Sequence, residues 1–170
     1  MTTPIHQQHE KSAPPSLAVA VITVSDTRTL ETDTGGQTVI DHLLAAGHTV
    51  HARHIIRDEP TPMRELILAL TAEPNLAAIL LTGGTGISSR DQTFETVTAL
   101  LEKPLPGYGE LFRQLSCAEI GPAAILSRAT GGVIRKKIVL TMPGSPNGVK
   151  LAMEKIIIPQ LRHLVREATR

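Results

Sequence analysis

The sequence predicts an α/β fold of three layers, with helices covering both faces of a mostly parallel sheet. Aromatic residues make up only 2% of the 170-residue chain, so Ile, Leu, Val and Ala must build the core. A core of that kind suits helices packed on a parallel sheet better than a β-sandwich. Near-continuous apolar runs also alternate with amphipathic helical patterns, and such runs are typical of strands buried on both faces.

Composition narrows the class of protein. The chain is 41% hydrophobic, which indicates a globular protein rather than a disordered one. The formal net charge is +1 and no block of like charge occurs, so we expect no nucleic-acid partner. No apolar run approaches the roughly 20 residues of a membrane span, and none precedes Leu17 as a signal peptide would. The single cysteine, Cys117, fits a reducing compartment. We therefore expect a cytoplasmic protein without a membrane partner.

The predicted domain organisation is simple. Residues 1–16 are polar, contain three prolines, and are expected to form a flexible tail. Residues 17–170 are expected to form a single α/β domain, because the chain is long enough for one complete core and short for two.

The first predicted strand covers residues 17–26 and ends in Ser25 and Asp26. Asp33 or Thr34 can cap the helix that follows, and Gly47 is placed to end it.

A second strand is predicted at about residues 49–56, with Asp58 just beyond its carboxyl end. Thr61 is predicted to cap the next helix, with Pro62 at its first position and its end near Ala72.

A third strand, Ala78 to Leu81, runs directly into the glycine-rich turn of Thr82, Gly83, Gly84, Thr85 and Gly86. A helical pattern resumes near Thr93. Strand, glycine turn and helix together favour anion binding, because backbone N–H groups can converge on an oxyanion near a helix N-terminus. Asp91, five residues beyond the last glycine, points to a metal bridge or to acid/base chemistry. The alternative is a tight turn in which Asp91 only caps the helix.

Beyond Pro104 and Pro106, residues 108–121 form an amphipathic pattern that predicts a helix. Leu111, Leu115 and Ile120 are expected to face the core, and Cys117 to pack there as a small apolar residue.

The last third of the chain is expected to add strands at Ala124–Thr130 and Ile138–Met142. The loop of Pro143, Gly144, Ser145 and Pro146 closes the second of these strands. A final helix is expected from Asn147 or Gly148, with an interruption at Pro159.

Unusual polar residues therefore follow the carboxyl ends of the predicted parallel strands. In open α/β sheets, ligands bind in the crevice outside those ends. The sequence predicts one site there, with these residues: Ser25, Asp26, Asp58, Thr82–Gly86, Asp91 and Pro143–Ser145. Asp58 and Asp91 are candidates to hold a divalent cation with a nucleotide phosphate. The alternative is that both carboxylates only cap helices and turns.

Two known phosphate-binding fingerprints do not apply to the glycine turn. The Walker pattern requires Lys followed by Ser or Thr after its last glycine, but Ile87-Ser88 stands there. The dinucleotide pattern G-x-G-x-x-G requires a third glycine that is absent at the required spacing.

The segment LLTGGTGISSRD, residues 80–91, resembles the signature of the MoaB/MogA-like molybdopterin-binding proteins of molybdenum cofactor biosynthesis. Further segments strengthen the resemblance, which covers residues 17–165: VSD at 24–26, DTGG at 33–36, PGYGELFR at 106–113, AILSRATGGVIRKK at 124–137 and MPGSPNGVK at 142–150. Asp91-Gln92-Thr93 is similar to the MoaB branch, whereas residues 124–137 look equally like the adenylylating branch.

The resemblance implies a homotrimer, or a hexamer made of two trimers. It implies molybdopterin as ligand and, in adenylyltransferase members, the transfer of AMP from Mg-ATP onto the terminal phosphate of molybdopterin. Two aspartates matter in those members, and they match Asp58 and Asp91, which would then be catalytic and would contact Mg²⁺ through the nucleotide. Thr82–Gly86 and Pro143–Pro146 would line the same pocket.

Three functional hypotheses stay open. The protein is an Mg-dependent molybdopterin adenylyltransferase, a non-catalytic carrier of molybdopterin or its precursor, or a structural trimer with a vestigial pocket. The pair Asp58 and Asp91 favours the enzyme, because a pure pterin-binding protein does not need two carboxylates beside an anion site.

Overall fold

A computed structural model describes residues 15–170 and has the predicted α/β architecture. Its strands are β1 (Ala18–Val24), β2 (Thr49–Ile56), β3 (Leu76–Thr82), β4 (Lys103–Pro104), β5 (Gly131–Ile134) and β6 (Lys137–Met142). Its α-helices are α1 (Thr34–Ala45), α2 (Pro60–Ala72), α3 (Thr93–Thr98), α4 (Pro106–Ile120), α5 (Pro146–Ala152) and α6 (Ile158–Thr169). A 3₁₀ helix covers Gly121–Leu126 and a π-helical turn covers Met153–Ile157. Residues 1–14 of the predicted tail lie outside the described residues.

The strands form one six-stranded sheet in the order β2-β1-β3-β6-β5-β4 within the described chain. Neighbours among β2, β1, β3 and β6 are parallel, whereas β5 pairs antiparallel with both β6 and β4. The mostly parallel sheet is therefore confirmed, and the carboxyl ends of four strands share one edge.

The sheet is buried on both faces, as its apolar runs predict. Along β1, Val19 and Val21 join the core cluster that also contains residues of α1, α4, α5 and α6. Ala20, Ile22 and Val24 join the opposite cluster, with residues of α2 and α3. Successive side chains of a strand point to opposite faces, so an apolar run without alternation feeds both layers of the core.

Asp33 caps helix α1 as expected and ties it to the sheet. Its Oδ1 accepts a hydrogen bond of 2.8 Å from the N–H of Gly36, the third residue of the helix. Its Oδ2 accepts from the hydroxyl of Thr23 at 2.8 Å and from Nη2 of Arg53 at 3.0 Å. This carboxylate is only 3% exposed, and its partners compensate for its burial.

Two predicted features of the helices are wrong. Helix α2 begins at Pro60 rather than after Thr61, because Pro60 already supplies the φ angle of a first helical position. Cys117 is exposed on α4 and does not pack in the core.

The predicted core face of α4 is also wrong for two residues, since Leu111 and Ile120 are 41% and 57% exposed. The buried face instead consists of Tyr108, Gly109, Phe112 and Ser116. The two large aromatic rings turn the helix so that they, rather than the smaller aliphatic side chains, reach the sheet.

The strand predicted at residues 124–130 is not observed. Gly121–Leu126 forms the 3₁₀ helix, and β5 begins only at Gly131. A short apolar run does not distinguish a strand from a helical segment, and here Gly121, at φ 64°, ends α4 and lets Pro122 start a new helical turn. The strand at 138–142 is confirmed as β6.

The expected interruption at Pro159 is confirmed. The π-helical turn Met153–Ile157 separates α5 from α6, and Pro159 stands in the first turn of α6. A π-helical turn accommodates the missing N–H of proline without ending the helical path. No helix among the described residues is long and apolar enough to cross a membrane.

His48 is a buried titratable side chain that follows helix α1. It is 3% exposed, and its Nδ1 has no hydrogen-bond partner among the described residues. Burial lowers the pKa of His48 below its ordinary 6.5, and the positive charge of Arg162 lowers it further. At neutral pH the folded protein therefore favours the neutral form of this imidazole.

We predict that His48 makes the protein less stable as the pH falls below about 6.5, its ordinary pKa. In that range the unfolded chain binds a proton at His48 more readily than the folded chain does, so the free energy of unfolding rises with pH. Replacing His48 with Gln should flatten the dependence, measured by urea unfolding between pH 5 and pH 7. His51→Gln is the matched control on the exposed side of β2; an equal flattening in both variants would contradict the assignment to His48.

Candidate functional site

The loops that follow β1, β2, β3 and β6 meet at the carboxyl edge of the sheet. The N–H of Ser25 donates to the carbonyl of Ile56 at 2.8 Å, which joins the ends of β1 and β2. The N–H of Gly83 donates to the carbonyl of Met142 at 3.0 Å, which joins the ends of β3 and β6. In addition, the hydroxyl of Thr82 donates to the carbonyl of Pro143 at 3.1 Å. The structure thus brings the glycine turn and the Pro143–Ser145 loop into direct contact.

The glycine turn requires glycine at Gly83 and Gly84. Gly83 has φ 100°, and a Cβ there would lie 2.2 Å from the carbonyl oxygen of Val24. Gly84 has φ 63°, and a Cβ there would lie 2.3 Å from Oδ2 of Asp58 and 2.2 Å from Oγ1 of Thr93. Both the backbone angles and the close approach of neighbouring chains exclude any larger residue.

Four consecutive amide groups of the turn are free to bind an anion. The N–H groups of Gly84, Thr85, Gly86 and Ile87 donate no hydrogen bond to any other part of the described chain. Successive unpaired N–H groups in a turn of this kind form an anion-binding concavity. The turn therefore leaves donors available for an anion, as the prediction from its glycine content requires.

Asp58 lies directly behind the glycine turn and is 7% exposed. Its Oδ1 accepts from the N–H of Gln92 at 3.0 Å, and its own N–H donates to Oδ1 of Asp26 at 3.3 Å. Burial raises the pKa of the Asp58 carboxyl, and the negative charges of Asp91 and Asp26 raise it further, whereas the Gln92 N–H and the charge of Arg90 lower it. The net effect is a pKa of the Asp58 carboxyl above its ordinary value, with burial as the largest cause.

Asp91 closes a short turn beside the glycines. Its Oδ2 accepts from the N–H of Ser88 at 2.9 Å, and a Cβ on Gly86 would come within 2.8 Å of that oxygen. The N-cap residue of α3 is Gln92, without a capping side chain, so Asp91 is not the helix cap that the alternative interpretation required. It does cap a turn, and it also faces the cavity described below.

Two arginines that the sequence analysis missed form ion pairs with carboxylates around the glycine turn. Arg90 donates to Oδ2 of Asp26 through Nε at 3.2 Å and Nη2 at 2.7 Å, and this pairing lowers the pKa of the Asp26 carboxyl. Arg128 contacts the glycine turn and Glu95 from the opposite side. Arg90 stands next to Asp91 in the signature, which was an available signal. For Arg128, only its place in the segment AILSRATGGVIRKK pointed to a role.

A cavity of about 350 Å³ opens beside the turn. Its polar wall consists of Gly83–Gly86, Asp91 and Pro143–Ser145, and Asn147 and Gly148 continue it. Its apolar wall comes from α4 and the 3₁₀ helix, including Phe112, Ile120, Ala124 and Leu126. A concave, largely apolar space with a few polar groups on one wall is the usual form of a small-molecule site.

The predicted site residues do not all reach this cavity. Ser25 and Thr82 line a separate cavity of about 70 Å³, which shares Gly83 and Gly144 with the larger one. Asp26 and Asp58 line neither of the two. A cavity of about 470 Å³ near β4, β5 and the end of α6 contains none of the predicted residues. Only part of the predicted set therefore shares one cavity, namely Gly83–Gly86 of the glycine turn, Asp91 and Pro143–Ser145.

The acidic residues of the site are too few for a metal site built from protein ligands alone. No group of three or more His, Cys, Asp or Glu side chains in residues 15–170 is arranged to hold a metal. Mg²⁺ is usually bound through one or two carboxylates together with substrate phosphates. Asp58 and Asp91 interact electrostatically across the turn, and the buried hydroxyl of Thr93 beside them has no partner in the described chain. Of these oxygen groups, only Asp91 lines the cavity, whereas Asp58 and Thr93 are buried behind the turn.

Fold and site together define an α/β protein with a candidate anion-binding site at the carboxyl edge of its sheet. Residues 20–163 match the family described as a probable molybdopterin-binding domain. The chain is 51% identical over 162 residues to molybdenum cofactor biosynthesis protein B of Bacillus subtilis (strain 168), with 95% of each chain covered. It is 46% identical over 164 residues to the protein of the same name in Bacillus anthracis, covering 96% of this chain and 97% of that one.

Solved structures agree with these similarities. A crystal structure of a molybdenum cofactor biosynthesis protein B superposes with a TM-score of 0.88 at 45% identity, covering 92% of this chain and 99% of that one. The tungsten cofactor synthesizing protein MoaB from Pyrococcus furiosus gives a TM-score of 0.80 at 34% identity, covering 93% and 100%. The chain belongs to the MoaB family of molybdenum cofactor biosynthesis proteins.

We predict that Gly83→Ala destabilises the protein more than Gly47→Ala does. Both glycines have positive φ, but a Cβ at Gly47 meets nothing within 4 Å, so its substitution tests backbone strain alone. Strain should cost about 1 kcal/mol at either position. The clash with Val24 at Gly83 should add about 1–3 kcal/mol. Urea unfolding at equal protein concentration measures both, and equal losses would contradict the close approach at Gly83.

Proposed function

We propose that the protein binds molybdopterin in the 350 Å³ cavity and transfers AMP to it from Mg-ATP. The observation that carries this proposal is the row of unpaired N–H groups at Gly84–Ile87, of which Gly84, Thr85 and Gly86 line the same cavity as Asp91. The N–H row suits a phosphate group, and the carboxylate suits a cation that accompanies phosphate. The wide apolar wall opposite suits a flat ring system such as a pterin.

The reaction that this arrangement would support is nucleotidyl transfer. An oxygen of the molybdopterin terminal phosphate attacks the α-phosphorus of ATP and forms a new P–O bond. The bond between the α-phosphorus and the bridging oxygen breaks, and pyrophosphate leaves with the electron pair. Mg²⁺, when bound, supplies neutralisation of the phosphate charge. The protein's part is positioning and electrostatic stabilisation, for which no protein nucleophile is needed.

Individual residues would divide these tasks. The N–H groups of Gly84–Ile87 hold phosphate oxygens, and Asp91 holds the cation at the cavity wall. Asp58, held by the N–H of Gln92, adds negative charge from behind the turn. Rigid hydrogen bonds from Gly83 and Thr82 to the β6 end keep the Pro143–Ser145 loop in place as the second wall. Donors fixed before the substrate arrives need no rearrangement during the reaction.

One observation favours a second candidate, a non-catalytic carrier of molybdopterin or its precursor. Asp58 lies outside the cavity, buried behind the turn, and both its N–H and its Oδ1 are engaged in hydrogen bonds to neighbouring loops. A carboxylate used in this way supports the turn without meeting a cation. In that case the cavity and the N–H row would bind the pterin phosphate, and ATP would not be turned over.

We propose that the protein acts as a homotrimer or as a hexamer. Its support is the exposed apolar side chains at the end of α4 and in the 3₁₀ helix, where Ile120, Ile125 and Leu126 are 57%, 73% and 51% exposed. Ile120 and Leu126 also line the cavity, so a subunit contact here would adjoin the ligand site. Exposed aliphatic side chains that adjoin one another are frequent at subunit contacts. Analytical ultracentrifugation of the full chain tests the assembly, and a monomer at micromolar concentration would overturn it.

The experiment that separates enzyme from carrier uses the purified protein with molybdopterin and Mg-ATP. Mass spectrometry follows adenylylated molybdopterin, and pyrophosphate release is measured in parallel. Product formation supports the enzyme. Stoichiometric molybdopterin binding without either product supports the carrier.

We predict that Asp91→Asn lowers turnover by about a hundredfold or more, because loss of a preorganised charge beside the reacting phosphates commonly has that effect. The fold should persist, since the amide oxygen can still accept from Ser88. Circular dichroism and thermal unfolding check the fold. Asp41→Asn, on the exposed face of α1, is the matched control and should retain full activity. Full turnover in folded Asp91→Asn would remove Asp91 from the reaction.

A further inference from the structure

Arg128 connects the segment before β5 to the glycine turn. Its main-chain N–H donates to the carbonyl of Thr85 at 3.2 Å. Its Nε donates to the carbonyl of Gly86 at 2.7 Å and approaches that of Thr85 at 3.4 Å, and its Nη2 donates to the carbonyl of Asp91 at 3.3 Å. One arginine therefore binds three carbonyl groups of the segment that runs from the glycines to Asp91.

The guanidinium of Arg128 is itself held from two other directions. Nη1 forms an ion pair with Glu95 on α3, and the group stacks over the ring of Phe94 with its central carbon 5.1 Å from the ring centre. Its side chain is 24% exposed, so water competes only in part for these contacts. A planar group with five donors can satisfy these partners at once, which an ammonium group cannot.

The carbonyl contacts fix the direction of the N–H groups. In a planar trans peptide, the C=O of one residue and the N–H of the next point in opposite directions. The carbonyls of Thr85 and Gly86 point toward Arg128, so the N–H groups of Gly86 and Ile87 point away from it. Neither N–H group donates a hydrogen bond within the described chain; Gly86 lines the cavity, and Ile87 follows it directly in the chain.

We propose that Arg128 is a positioning residue that sets the anion-binding geometry of the turn by fixing two consecutive peptide groups. This role rests on the proposed function, because it assumes that the free N–H groups receive an oxyanion of the substrate. Arg128 does not touch that oxyanion. It acts through the backbone, and the backbone alone contacts the ligand.

The role differs from that of a simple cation near a phosphate. A cation acts through charge, and lysine would replace it. One group can orient three carbonyls only if its N–H donors diverge in a plane, as those of the guanidinium do. Lysine has the same charge but lacks this geometry, so it should not hold the carbonyls in place.

The test uses inorganic phosphate as the probe and the backbone amide resonances of the full chain as the readout. In the wild-type protein, phosphate should shift the resonances of Gly84, Gly86 and Ile87. In Arg128→Lys the same titration should give phosphate binding about tenfold weaker, which corresponds to the loss of one charge-assisted hydrogen bond. Arg113→Lys is the matched control, because Arg113 binds the carbonyls of Ser127 and Ala129 in the same segment without reaching the turn.

Wild-type affinity for phosphate in folded Arg128→Lys would overturn the inference, as would the absence of phosphate-induced shifts at these amides in the wild-type protein. If Arg128→Lys does not fold, Glu95→Gln decides the question. It removes the ion pair from a half-exposed partner and should weaken phosphate binding about threefold, and unchanged binding would count against the role.

The outcome is separable from that of the proposed function. Phosphate shifts that depend on Arg128, combined with no adenylylated product from the wild-type protein, would support the inference while the enzyme proposal fails. The opposite outcome is equal product formation and equal phosphate binding in the wild-type protein and folded Arg128→Lys. It would contradict the inference and leave the enzyme proposal intact.

Discussion

The site depends on one close approach, between the backbone of Gly83 and the end of β1. The Gly83 Cα carries no side chain, so the carbonyl of Val24 comes within 2.2 Å of the point where a Cβ would sit. A Cβ on Gly144 would likewise lie 3.3 Å from the Gly83 Cα, so the loop after β6 packs on the other side. Three strand ends meet at one glycine, and the turn that follows is therefore directed into the space beside them.

Three carboxylates and two arginines surround this turn. Asp26, Asp58 and Asp91 place negative groups at the loop ends, and their mutual repulsion contributes to the raised pKa of the Asp58 carboxyl. Arg90 offsets the most exposed of them by pairing with Asp26. Arg128 pairs with none of these three carboxylates; it donates to backbone carbonyls and forms an ion pair with Glu95. The turn thus keeps unpaired N–H groups next to carboxylates of which only Asp26 has an arginine partner in the described chain.

Much of the fold followed from local pattern. The apolar runs of β1 and β3 predicted strands buried on both faces, and the three glycines predicted a turn that only glycine can form at two positions. The α4 face could not be predicted from spacing alone, since Phe112 and Tyr108 displace Leu111 from the core by size. The 3₁₀ helix at Gly121–Leu126 resembles a strand in composition. Roles carried by long side chains that bind backbone, such as Arg128, leave no periodic signal, because their partners are carbonyl groups common to every residue.

The strand order has a consequence for how the protein forms. Strand β3 pairs with β6, so that Ala78 is aligned with Ile138, and the chain between them contains α3, α4, the 3₁₀ helix and the strands β4 and β5. Closing a loop of that length costs conformational entropy before the central contacts form, and this slows folding. The cavity walls come from both sides of that pairing, with the glycine turn before it and the Pro143–Ser145 loop after it. A nascent chain that has emerged only as far as β5 therefore holds every residue of the anion-binding turn but not yet the ligand site, which comes into existence only when β6 is inserted into the sheet.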